Sequence, residues 1–352
     1  GSVNWQSLLQ ADLSLQMDKG EVLWGAWYAD LEQAPVSFQA RNEICSGQRV
    51  EVTGLQMQVG QILHLQGRAG FPLGSAQPHW EVAITKSRLH FSALYSVVQG
   101  LLPDDWIPAG QMAWSGTLRD TEYGPCVQGV LQGQGLGLGL PQGQGNLDQW
   151  EFTLPVEYTM GKRVENDIDA HQSSAWGTLR PGRLILLGRE IHVDSSRIRL
   201  TENILEIKDV LEISGMGSRL QIDAFRLDLP WNKIWRAEGT LDIISLHPAR
   251  LVDVVSDDTA ELFGKLEFVA TGQEIQTQGQ LQGTVFGGNL LIDELGVKRP
   301  LKPSRILTAN AHISDLDLKI LGQILGIGRT TGMVCIELNR LGVAYGQPVR
   351  FP

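Results

Sequence analysis

Two carboxylates close together can divide the work of acid and base, so such pairs are weighed first. Asp104-Asp105, Asp257-Asp258 and the spaced pair Asp315 with Asp317 have the residue types that glycoside hydrolysis needs. All three pairs sit at turns or where a helical pattern starts. Capping of a helix first turn and complementing its dipole account for them there at lower cost. The seven histidines, His64, His79, His90, His171, His192, His247 and His312, are scattered, and no HExxH or GxSxG run accompanies them. Cys45, Cys126 and Cys335 are odd in number and far apart, which excludes a disulfide framework and the usual zinc spacing. The expectation is a protein without catalytic residues, metal or other cofactor.

The residues that do repeat in a pattern are apolar. Phe152, Leu154, Val156 and Tyr158 alternate with Thr153, Pro155 and Glu157, and Val334, Ile336 and Leu338 alternate with Cys335, Glu337 and Asn339. Period two belongs to a strand with one greasy face. Leu136, Leu138 and Leu140 alternate with Gly137 and Gly139 inside LQGQGLGLGLPQGQG, residues 131–145. A phosphate-binding glycine loop would open a helix; here another alternating strand follows, so the glycines are read as shape devices that permit close approach or a bend. These ten residues are the candidate lining of an apolar groove, a reading that alternation alone does not separate from an ordinary core. The ten tryptophans, Trp24, Trp27, Trp80, Trp106, Trp114 and Trp176 among them, fit a core or a groove rim, or platforms on which sugars stack.

Forty glycines, many glutamines and few helical stretches indicate a mostly β chain with many turns. Strand patterns occupy 22–28, 36–40, 50–59, 61–66, 80–85, 184–187, 190–193, 197–200, 205–213, 220–229 and 281–286, and residues 3–18 fit a short helix or an edge strand. A short amphipathic helix followed by a strand recurs imperfectly at LHFSALYSVVQGLL, at LDIISLHPARLVDVV and from Leu316 onward, a weak repeat. The polar run GKRVENDIDAHQSS, residues 161–174, divides a β-rich half at 1–160 from another at 175–352, in which 305–351 is the most informative stretch. The fold expected is an elongated, strongly curved antiparallel sheet, groove-like and repetitive, with a few short helices. A formal charge of −10 without a basic cluster disfavours nucleic acid. No apolar run has the length of a membrane-spanning helix. Gly1-Ser2 and the break in mid-pattern at Pro352 read as the limits of a soluble fragment of a longer protein.

The run LDLKILGQILGIGRTTGMVCIELNRLGVAYGQPVRF places a leucine-rich helix, a glycine turn, a strand and a PVxF ending in succession. In this it resembles the C-terminal region of the AsmA-like superfamily of bacterial envelope proteins, most closely the YdbH type, over about forty of the 352 residues. The resemblance implies a β-groove that conducts phospholipid between inner and outer membranes. It also implies a periplasmic location, an inner-membrane anchor N-terminal to this stretch, and an outer-membrane partner reached by strand addition at the C-terminal edge. The competing expectations are a β-solenoid that binds or cleaves polysaccharide, and a passive envelope assembly scaffold.

Overall fold

The computed structural model describes residues 9–24, 27–45, 49–72, 80–97, 107–121, 124–139, 145–159, 175–186, 188–201, 203–229, 235–247, 260–300, 304–325, 328, 330–344 and 347–350. Well over half of these lie in strands, and the two helices among them are short. The chain forms two compact units, one of residues 1–188 with 199–202 and the other of 189–198 with 203–352. The polar run at 161–174 lies outside the described residues.

In the first unit the strands are β1 Leu9–Met17, β2 Glu21–Trp24, β3 Trp27–Asp30, β4 Val36–Cys45, β5 Arg49–Val59, β6 Leu63–Pro72 and β7 Glu81–His90, followed by helix α1 Phe91–Val97. Strands β8 Ile107–Thr121, β9 Gly124–Gly139, β10 Gly145–Thr159, β11 Gly177–Arg180 and β12 Arg183–Leu186 complete it. Strands β4 to β10 pair antiparallel in chain order, β1 adds to β4, and β11 and β12 both pair with β10. The pattern at 22–28 is not one strand but the small hairpin β2–β3, with Trp24 opposite Trp27. Residues 9–17, ambiguous between helix and edge strand in sequence, form the strand β1.

The second unit begins with β13 Arg189–Val193 and contains the start of β14 Ser196–Thr201, then β15 Ile204–Ile207 and β16 Leu211–Gly215. It continues with β17 Ser218–Asp228, β18 Arg236–Leu246, β19 Ala260–Thr271, β20 Glu274–Val285, β21 Gly288–Lys298, β22 Ile306–Asp317, helix α2 Leu318–Leu325, β23 Met333–Ala344 and β24 Gln347–Arg350. From β16 onward each strand pairs antiparallel with the next. The sequence pattern at 205–213 is two strands, broken where Lys208 donates its N–H to the Arg197 carbonyl at 2.9 Å and Asp209 turns back onto Arg197. Of the three helix-strand copies, the first and third carry α1 and α2 between antiparallel partners, β7 with β8 and β22 with β23. The second, LDIISLHPARLVDVV at 241–255, is not helical at its start, because 241–246 form the end of strand β18 paired with β19, and 248–255 lie outside the described residues.

Burial follows the ladder. Leu266 is only 1% exposed, and it packs with Ile243 and Leu281 inside a ring of Leu220, Leu241, Leu246, Ile292 and Leu295. Every member of that cluster comes from β17 to β21. In the first unit Ala40, Val52 and Ala69 are buried with Phe38, Leu55 and Val82 around them, again from strands close together in one ladder. Such a sheet covers its greasy face with side chains of neighbouring strands. The strand bulges favour this, because an extra residue bends its strand and raises the local twist.

Candidate functional site

Strand pairing turns the alternation of single strands into continuous rows, because residues directly opposite in a ladder lie on the same face. In the first unit one row runs Met17, Val36, Val59, Leu63, Leu89, Met112, Gly133, Phe152, Leu179 across consecutive strands. The neighbouring row on the other face runs Gln16, Ser37, Gln58, His64, Arg88. The second unit repeats the division within itself. Ile213, Leu220, Ile243, Gly264, Leu281, Ile292, Ala311 and Leu338 form one row, while Glu212, Gln221, Asp242, Lys265, Gln280, Asp293 and Asn310 form the row beside it on the opposite face. Each unit therefore has one apolar and one polar face.

The candidate lining residues fall on the apolar faces. Phe152, Leu154, Val156 and Tyr158 stand opposite Gly133, Leu131, Gly129 and Val127. Leu136 joins them: a Cβ on Gly133 would meet Leu136 Cδ1 at 2.6 Å and the Phe152 ring at 2.5 Å. Leu138 stands opposite Leu147. In the second unit Val334, Ile336 and Leu338 stand opposite Leu316, Ile313 and Ala311. Leu140 lies outside the described residues. Leu154 is buried, whereas Phe152, Val156, Tyr158, Val334, Ile336 and Leu338 are half-buried. On strand β1, Leu13 and Leu15 point to the same face and are 54% and 51% exposed.

The glycines of β9 make room on the apolar face for large side chains of their own sheet. Phe152 and Leu136 occupy the space over Gly133, and the Trp114 indole lies over Gly116 and Gly129, 2.8 and 2.7 Å from where their Cβ atoms would stand. Sequence reasoning recognised these glycines as shape devices and set Trp114 among the core or groove-rim tryptophans, but missed Leu118, Val127 and Leu131 as members of the face. A search for period two through β8 and β9 would have found them, since Trp114 and Leu118 are four residues apart and each stands opposite an odd-numbered β9 residue.

Asp317 accepts the Lys319 N–H at 2.8 Å and caps α2, and Asp315 takes a left-handed conformation, φ 57°, at a bulge in β22. Asp104-Asp105 and Asp257-Asp258 lie outside the described residues. His192 is 3.0 Å from Asp194 and His312 is 3.6 Å from Glu337, both pairs on exposed strand faces. Trp176 stacks under the Arg199 guanidinium, 4.5 Å from the ring centre. Among the described residues no group of histidine, cysteine and carboxylate side chains is arranged to hold a metal ion. No helix among them is long and apolar enough to cross a membrane.

The strongest perturbation of charge is structural. Arg197 donates to Asp209 in a fork, Nε to Oδ2 at 2.9 Å and Nη2 to Oδ1 at 2.6 Å, and its backbone N–H adds a contact to Oδ2 at 3.2 Å. That side-chain hydrogen bonding lowers the Asp209 carboxyl to about 2 and raises the Arg197 guanidinium. Arg219 lowers Glu212 in the same way, chiefly by its side-chain hydrogen bond. A carboxylate lowered by folding adds stability above its unfolded value, about 4, and the addition is lost as pH falls through the folded value. Asp209→Asn is thus expected to narrow the wild-type advantage in melting temperature between pH 6 and pH 2. The pH series of melting curves checks it, and a difference independent of pH would refute it.

No protein-family model, no curated protein and no solved structure matches the chain.

Proposed function

We propose that this chain binds and conducts the acyl chains of lipids, phospholipids in the first place, along the apolar faces of its sheets, as a lipid-transfer protein of a bacterial envelope. The observation that carries the reading is the row of apolar side chains, spaced by Gly133 and Gly264, that crosses the strands of each unit, with buried members such as Ile243 and Leu281 and half-buried ones such as Phe152 and Ile336, and polar side chains on the reverse. An ordinary water-soluble sheet leaves its polar face to solvent and covers its apolar face with a second layer. Here the packing partners of the most buried residues come from the same ladder, and large side chains such as Phe152 and Ile336 keep part of their surface open. Exposed apolar surface that spans many strands marks a place where a ligand or partner binds.

Acyl chains suit such a surface because each methylene removed from water contributes about 0.8 kcal/mol without any directional contact. A row of aliphatic residues and glycines offers similar packing at every position, so a chain can slide without leaving a deep well. Headgroups stay with water at the open side. No bond is made or broken in this function.

The test places a photoreactive amino acid singly at Phe152, Val156, Ile336 and, on the polar faces, Thr153 and Glu337, in protein expressed in a bacterial envelope. Lipid adducts detected by mass spectrometry are expected at the first three positions and not at the last two. Equal labelling on both faces, or none on the apolar one, would overturn the proposal.

A further inference from the structure

We infer that the polar face of the first unit carries a binding site for a phosphate group, formed by Lys86, Arg88, His64 and His90. This site lies on the opposite face from the acyl-binding row and stands whether or not that row carries lipid. Its origin is a bulge in β7. Gln66 pairs with Lys86 while Gly67 pairs with Ile84, so Thr85 is an extra residue in the ladder. Beyond it the parity of the strand reverses. Lys86, Arg88 and His90, which would follow Val82 and Ile84 onto the apolar face in a regular strand, turn to the polar one. There His64 stands directly opposite Arg88, and His90 stands opposite Gln111.

These side chains line a crevice of about 580 Å³ together with Gln61 and Ser92. Among the described residues no carboxylate lines it, nor the adjoining crevice of about 260 Å³ that shares Lys86 and Arg88. In a chain with 39 acidic and 29 basic residues that is against the general balance. Another crevice on the same face makes the contrast plain: it too holds two arginines, Arg49 and Arg68, but Glu51 and Glu81 line it with them. Arg49 is 3.5 Å from Glu51. Like charges placed side by side on a sheet repel, and an anion seated among them removes that cost.

Phosphate fits the donor set better than a carboxylate does. It presents three terminal oxygens in different directions, which the arginine fork, the lysine ammonium and the imidazole N–H groups can approach from the two adjacent strands β6 and β7. Two sources share this chemistry, a soluble phosphate compound and the headgroup of a phospholipid at a membrane surface.

The test uses the whole chain, its backbone amides followed by NMR at constant ionic strength. Inorganic phosphate and glycerol 3-phosphate are expected to give saturable shifts confined to residues near 58–64 and 86–92, with chloride and acetate giving none. The double variant K86Q/R88Q replaces exposed side chains, so it keeps the fold, and it is expected to bind phosphate at least about tenfold more weakly through loss of two charge-assisted contacts. A double variant E51Q/E81Q, in the other crevice, is expected to bind as the wild type does. Flotation with vesicles containing 30% phosphatidylglycerol in phosphatidylcholine separates the sources. Vesicle binding that K86Q/R88Q abolishes assigns the site to headgroups, and phosphate shifts without flotation assign it to a soluble phosphate compound. Absence of both, shifts equal with acetate, or undiminished binding by K86Q/R88Q would overturn the inference.

Discussion

Leu266→Ala is expected to lower the stability of the chain by about 2–5 kcal/mol, the range for emptying a fully packed leucine site. At 1% exposure Leu266 sits inside a ring of leucine and isoleucine side chains from β17, β18, β20 and β21, all fixed by ladder hydrogen bonds. Strand backbones held at their ladder spacing cannot close in to fill the gap, so the cavity remains. Phe263, on the other face of the same strand and 47% exposed, is the control: Phe263→Ala is expected to change stability by less than about 0.5 kcal/mol. Urea unfolding of the two variants gives both values. A Leu266→Ala cost below about 1 kcal/mol would mean that the centre of the apolar face is not packed as described.

The second large effect concerns the half-buried apolar face of the first unit. Phe152→Glu with Val156→Glu places two carboxylates among Leu131, Leu179 and Leu200, the apolar residues of the adjoining rows. Capture of a photoreactive phospholipid at Leu136 or Leu179 is expected to fall by more than about tenfold, since an acyl chain would then have to lie against unpaired charge or give up the contact of several methylenes. The matched change on the polar face, Thr153→Glu with Gln132→Glu, is expected to leave capture within about twofold. Circular dichroism separates loss of binding from loss of fold. Phe152→Ala with Val156→Ala, which adds no charge, is expected to weaken capture to an intermediate degree while the chain remains folded. Wild-type capture by both double variants would remove the acyl-chain reading of this face.

Which side chains are buried and which remain half-open within one apolar row is not visible in a strand pattern. Leu154 and Val156 have the same period and similar chemistry, yet Leu154 is buried and Val156 is not. Their cross-strand neighbours differ: Leu154 stands opposite Leu131, whereas Val156 stands opposite Gly129 on one side and Leu200 on the other. The same glycine gives the Trp114 indole its place.

What the sequence by itself determined is the set of local preferences: the mostly β class, the alternation at 152–158 and 334–338, the glycines as shape devices, and the capping of α2 by Asp317. Each depends on residues a few positions apart, and the backbone periods of strand and helix translate them directly into structure. What only the tertiary structure decided is where the alternation changes phase. Thr85 is an extra residue against β6, while Gln149 in β10, Glu294 in β21, Asp315 in β22 and Arg340 in β23 take left-handed conformations near shifts of register, although none is glycine. A bulge exists only relative to a partner strand, and its cost is met by the ladder contacts on either side of it. For that reason the apolar face could be read strand by strand, whereas the cationic crevice, which a single extra residue turns to the other side, could not.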